Sequence, residues 1–350
     1  MARTAPIVFS HFTALQILRR LPPEMLAQRS RLRQWPQHPI GRAQLDAAVA
    51  RVEELFPAPL ETGRPPARGQ RLGAGLPEAR RPLQRPVHFV TGCAGQNRSI
   101  RSYAGHLTQL GIPERSLIKI ADGIWVCAPE LAFVQMAACI NRMPLIELGF
   151  ELCGTYRTPR TGAPAAYDSP AMTSAAALES FLAHTARIPG ERRARRCVER
   201  IADGAASPRE AKLLILLSFP KSMGGYGLGR PVMNVSVPTD EEAFAICRKN
   251  HLKCDITWLG TKIDLEYQSR FAHEGEQARI SDSRRANALA AMGWTVIGFT
   301  NEEMDGISAC DTLADRLRAE LGIRKRPDPA QYERLKNTLR WELGLPAYFS

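Results

Sequence analysis

The alternation of apolar and polar positions is clearest from Cys254 onward. Cys254, Ile256 and Trp258 place apolar side chains on one side of an extended segment, with Asp255 and Thr257 on the other. Ile263, Leu265 and Tyr267 share a face of the next segment, opposite Asp264, Glu266 and Gln268. A two-residue hairpin turn at Gly260-Thr261 would join the two strands. Such a turn keeps position sums constant across the pair. Ile256 then faces Leu265, Trp258 faces Ile263, and Asp255 faces Glu266 with Cβ atoms roughly 5 Å apart. A polar loop, a helix capped by Ser281 and a buried strand, TVIGFT, complete this stretch, with Asp282, Arg285 and Leu289 along one side of the helix.

The remaining pattern divides the chain into six parts. Residues 1–56 read as a helical segment, with SHFTALQILRRLP capped by Ser10 and RAQLDAAVARVEELF apolar at helical spacing. His11, at a helix start, reads as a capping or packing residue. Residues 57–86 form a Pro/Gly/Arg-rich linker. Residues 87–160 are a small α+β region: strand VHFVTG, a basic segment of open type, a hairpin about Asp122-Gly123, and a helix led by Pro129. Residues 161–206 are connecting helices, including an arginine-faced one. Residues 207–323 form the α/β domain, opened by the apolar helix after Ser207, where Glu210 falls at the third position of a capping box. Residues 324–350 read as a basic, peripheral tail.

Charge adds a partner class. Over 350 residues the net charge is +12, which favours a polyanion, and nucleic acid is the commonest. A chain merely rich in arginine is the plain alternative. No apolar run approaches the ~18 residues that cross a bilayer, and the first residues lack a signal peptide's pattern. The expectation is therefore a cytoplasmic protein without a membrane partner. The eight cysteines include no CxxC pair, which predicts free, reduced thiols. KSMGGYGLG lacks the lysine and spacing of a nucleotide-binding loop.

Two carboxylates opposed on one side of a hairpin repel unless a cation lies between them. A hard divalent ion, Mg²⁺ or Mn²⁺, is the usual chemical reason. The plain reading leaves the pair structural, neutralised by Lys262 or Arg270. An Asp, a turn and then Glu266-x-Gln268 on the next strand resembles the PD-(D/E)XK nuclease fold. The sequence EYQS…H…D..RRANALAAMGWTVIGFT resembles the bacterial domain related to very-short-patch repair endonucleases. The SHFTA opening and the strand, hairpin and helix of 87–160 resemble AbiEi-type antitoxin-like proteins.

These resemblances imply an α/β (α+β) fold, with a mixed sheet flanked by helices in the C-terminal half and a smaller α+β N-terminal region. They imply a catalytic set of Asp255, Glu266, Gln268, Glu210 and His273, with Mg²⁺ or Mn²⁺ on Asp255, Glu266 and Glu210. Gln268 stands in the place of the family lysine and Ser269 in that of a glycine. A glutamine can position a water but cannot act as a charged acid or base. Candidate nucleic-acid contacts are Arg285, Arg98, Arg101, Arg192 and Arg196, with His106 beside the basic segment. Two functions remain open. One is a metal-dependent endonuclease hydrolysing DNA phosphodiesters. The other is an inactive AbiEi-like DNA-binding regulator or antitoxin of a toxin–antitoxin or phage-defence system, with a toxin or other protein as partner.

Overall fold

The structure, a computed structural model, describes residues 6–30, 32, 38–57, 83–108, 113–158, 166–185, 187–268 and 276–348. The chain is an α+β protein of two units, Met1–Ile201 and Ala202–Ser350, each with its own mixed sheet. No helix among the described residues is long and apolar enough to cross a membrane.

In the first unit, strands β1 (Ile7–Phe9), β2 (Val87–Thr91), β3 (Tyr103–Leu107), β4 (Leu117–Ala121) and β5 (Ile124–Cys127) form a sheet of order β3-β2-β1-β5-β4. The expected helical segment therefore begins with a strand. Ile7–Phe9 is only three residues long, so its alternation is too brief to read from sequence. It is fully buried and lies between β2, antiparallel, and β5, parallel. The basic segment resolves into an exposed connection carrying Arg98 and Arg101, followed by β3. Gly105 permits this connection to lie flat on β3, because a Cβ there would meet the Gln96 carbonyl oxygen at 2.1 Å.

Helices His11–Leu18, Pro129–Cys139 and Arg142–Cys153 are buried along most of their length. Their few buried charges are paired: Glu151 holds Arg19 at 2.7 Å and Glu130 holds Arg29 at 3.0 Å. In helix Glu191–Val198 the arginines divide by role. Arg193 donates to the Ala137 and Ile140 carbonyls at the end of helix Pro129–Cys139, and Arg195 pairs with Glu191. Arg192 and Arg196 remain exposed.

In the second unit, β6 (Val232–Pro238), β7 (His251–Thr257), β8 (Ile263–Gln268) and β9 (Thr295–Thr300) lie in that order, with β8 and β9 parallel and the other pairs antiparallel. The Ser207 hydroxyl accepts from the Glu210 N–H and caps helix Pro208–Ser218. Helix Glu276–Ala291 begins upstream of the expected cap, so Ser281 lies inside it. Ala288 and Leu289 of this helix pack with Ala243, Leu252 and Cys254.

The tail is part of the core. Helix Tyr332–Glu342 buries Tyr332, Lys336, Leu339 and Arg340. Arg340 is fully enclosed and donates to the carbonyls of Met304 (3.1 Å), Asp305 (2.7 Å) and Pro346 (2.7 Å). A guanidinium with five fixed donors can serve three carbonyls at once, with Cys310 Sγ as a second donor to that of Met304 at 3.4 Å. Arg340→Ala is expected to cost the second unit about 3 kcal/mol, read as a lower urea midpoint. An unchanged midpoint would show that the tail is peripheral after all.

Candidate functional site

The β7–β8 pair carries the expected register, Ile256 opposite Leu265 and Thr257 opposite Asp264. The connection is longer than a two-residue turn. The Thr261 N–H donates to the Trp258 carbonyl at 3.0 Å, and Gly260, at φ +80°, takes the corner with Leu259. Trp258 and Ile263 are buried, as the register requires.

Backbone pairing stops one residue short of Asp255 and Glu266. Side chains take over there. Asp264 Oδ1 accepts the Asp255 N–H at 3.0 Å, and Asp255 Oδ2 accepts the Tyr267 N–H at 3.0 Å. Strict alternation in β7 fails at the same place. Cys254 packs with Ala288 and Leu289, and Asp255 shares a cleft with Ala286 and Leu289, so both neighbours approach helix Glu276–Ala291. A repeat of period two assumes an unbroken ladder; here the pairing with β8 has ended and the pairing with β6 skips Asp255.

The cleft, of about 240 Å³, is lined by Asp255, Glu266 and Gln268 from the sheet and by Asp282, Arg285 and Leu289 from the helix. Parallel pairing brings Gly298 of β9 beside Glu266. The Gln268 amide lies over Gly298, where an added Cβ would come within 3.0 Å of Nε2. Burial, and then the nearby Glu210 charge, raise the Asp255 carboxyl to about 6. Burial likewise raises Asp264, which lines no part of the cleft, to about 6. Asp264 Oδ2 and Glu266 Oε1 are buried and have no hydrogen-bond partner among the described residues.

One cation answers these acids. Arg285 forms an ion pair with Glu266 Oε2 and donates to the Lys253 carbonyl at 2.8 Å. Lys262 instead bonds the Met292 carbonyl at 2.8 Å, and Arg270 and His273 lie outside the described residues. Glu210 is occupied at the helix start. Its oxygens accept from the Ser207 hydroxyl (2.9 Å) and the Ala206 N–H (3.0 Å), so it acts on Asp255 through its charge. A second hollow, of about 370 Å³, uses the other side of Arg285 together with Lys249 and Arg284. Arg98, Arg101, Arg192 and Arg196 belong to the first unit and stand apart from this cleft's lining.

Asp264, Lys249 and Arg284 were not among the sequence candidates. The parity of Asp264 with Glu266 was the available signal for the first. Lys249 and Arg284 meet only through tertiary packing. Searches of protein-family models, of curated proteins and of solved structures each return no match.

The raised Asp255 carboxyl has a thermodynamic consequence. A carboxyl whose folded-state value lies above its unfolded one of 3.8 costs stability once the unfolded chain ionises. The penalty is absent below about pH 4 and complete above about pH 6. A shift of this size is at most about 3 kcal/mol, and partial exposure reduces it. Asp255→Asn keeps an acceptor for the Tyr267 amide and is expected to stabilise the chain by about 1–2 kcal/mol at pH 7.5. That gain should fade in thermal melts as the pH falls to 4. A destabilised variant at pH 7.5 would contradict the assignment.

Proposed function

We propose that the second unit hydrolyses phosphodiester bonds of DNA with a divalent cation, as its resemblance to the PD-(D/E)XK nucleases implies. The observation that carries this reading is an acid cluster with too little cation. Asp255, Asp264 and Glu266 share one guanidinium, that of Arg285, two buried carboxylate oxygens have no hydrogen-bond partner among the described residues, and two carboxyls are raised to about 6. Hard oxygen donors of this kind fit Mg²⁺ or Mn²⁺, which need only one or two carboxylates beside water and phosphate. Asp255 and Glu266 would hold the ion, with Asp264 fixing the Asp255 backbone beneath.

When bound, the ion would supply polarisation of a phosphoryl oxygen and acidification of a water. The residues of the chain do the rest. Gln268, braced over Gly298, would accept a hydrogen bond from a water or donate one to it, orienting it toward the phosphorus. Arg285, which reaches Glu266 through one nitrogen, would turn to the substrate phosphate, where its planar fork can bond two oxygens. Lys249 and Arg284, lining the hollow on its other side, would take neighbouring phosphates.

A second reading has its own support. The Arg285–Glu266 pair already neutralises one carboxylate, and the lysine position is filled by Gln268. Both features suit an inactive, AbiEi-like DNA-binding regulator with a protein partner. Nicking of supercoiled plasmid separates the two. The hydrolase reading expects Mg²⁺- or Mn²⁺-dependent nicking that falls roughly 100-fold or more in Glu266→Gln while DNA binding persists. Wild-type protein that binds DNA but never nicks it with either ion would leave the regulatory reading standing.

A further inference from the structure

Three of the seven histidines meet in the first unit, in a group that includes no carboxylate or thiol. The topology brings them together. His88 on β2 and His106 on β3 share a face of the parallel pair, whose register sets His88 beside Ala104 and Val90 beside His106. On the other side of β2, the Ser10 N–H donates to the His88 carbonyl at 3.0 Å. The chain then turns into helix His11–Leu18, and the His11 ring lands on the same two imidazoles. Its centroid lies 3.6 Å from that of His106 and 5.9 Å from that of His88.

The geometry points to a transition-metal site, and we propose that His11, His88 and His106 bind one zinc-like divalent ion through their ring nitrogens. One nitrogen from each ring lies within 4.8 Å of the others, the only such group of three or more His, Cys, Asp or Glu among the described residues. Tetrahedral zinc–nitrogen bonds of about 2.0–2.1 Å require nitrogens roughly 3.3 Å apart. The His88 Nδ1–His106 Nε2 contact, at 2.9 Å, lies just inside that spacing. Small ring rotations therefore convert a hydrogen-bonded cluster into a three-ligand set, opening the close stacking of His11 on His106.

Three further observations suit this use. His11 adopts φ +49°, a left-handed conformation that a residue with a side chain enters at a cost. It is fixed there by its N–H on Gln135 Oε1 at 3.2 Å, with the Ser10 hydroxyl 3.0 Å from Nδ1. Such an outer partner sets the tautomer of a ligating imidazole. The third pair of rings is also stacked, His88 on His106 with centroids 5.1 Å apart, so all three imidazoles share one small volume. His88 and His106 are only half-buried, which leaves the cluster a route to solvent. Three imidazoles with no carboxylate suit zinc, nickel or copper better than magnesium, so this site is distinct from the carboxylate cleft and does not depend on that cleft's function.

The test is metal titration of the full chain, stripped with chelator, in the Asp255→Asn/Glu266→Gln background and with Mg²⁺ in excess. Competition against a chromophoric chelator should show one Zn²⁺ per chain. His88→Gln and His106→Ala each remove a ligand and should weaken binding by at least the roughly 10–100-fold that losing an outer partner costs. Co²⁺ in the protein with all three histidines should give tetrahedral d–d bands without a thiolate charge-transfer band, a readout that needs no variant to fold. Absence of stoichiometric Zn²⁺ binding would overturn the proposal. So would affinity unchanged by either folded histidine variant, or a thiolate band marking the free cysteines as ligands.

Discussion

The second unit depends on an exchange of partners where β7 and β8 part. Two backbone amides there, those of Asp255 and Tyr267, lose their cross-strand carbonyls and are met by the carboxylates of Asp264 and Asp255. A buried amide left unpaired costs about 1–3 kcal/mol, so the strands can separate only because these side chains replace the ladder. The separation leaves Asp255 lining the cleft, with Asp264 fully buried beneath it. Burial in this arrangement raises both carboxyls.

Both units match buried charges in place, Arg19 with Glu151 in the first and Lys336 with Asp311 in the second, and both spend guanidinium donors on carbonyls, through Arg157 and Arg340. The acid cluster of the second unit departs from this, with two buried carboxylate oxygens unmet among the described residues. A buried charge without a full set of partners is expensive. Where a fold retains one, the reason tends to lie outside packing. Arg285 marks the boundary between these regimes, reaching one carboxylate of the cluster and lining the basic hollow behind it.

Much of the second unit was legible because it depends on local rules. Parity and the Gly260 corner give the β7–β8 register, even though the turn itself is longer than two residues. Ser207 caps its helix as its spacing indicates. The plugged ladder was not legible, because alternation rules assume that backbone carbonyls meet backbone amides. Nor was the Arg285–Glu266 pair, which joins a helix to a strand across the sheet surface. In the first unit, His11 reads as a capping residue and His106 as a phosphate contact. Only the pairing of β1, β2 and β3 brings both against His88, and that pairing spans a stretch with no periodic signal.

The burial of Arg340 also bears on how the chain is made. Helix Pro208–Ser218 and the sheet of the second unit can form as they leave the ribosome, but the Asp305 carbonyl waits for a donor that lies more than thirty residues further along. Until Tyr332–Glu342 emerges, the nascent unit carries an apolar face open to chaperones and proteases. A unit without that helix would keep its apolar face open and leave the Asp305 carbonyl without this donor, so Tyr332–Glu342 decides when the second unit closes.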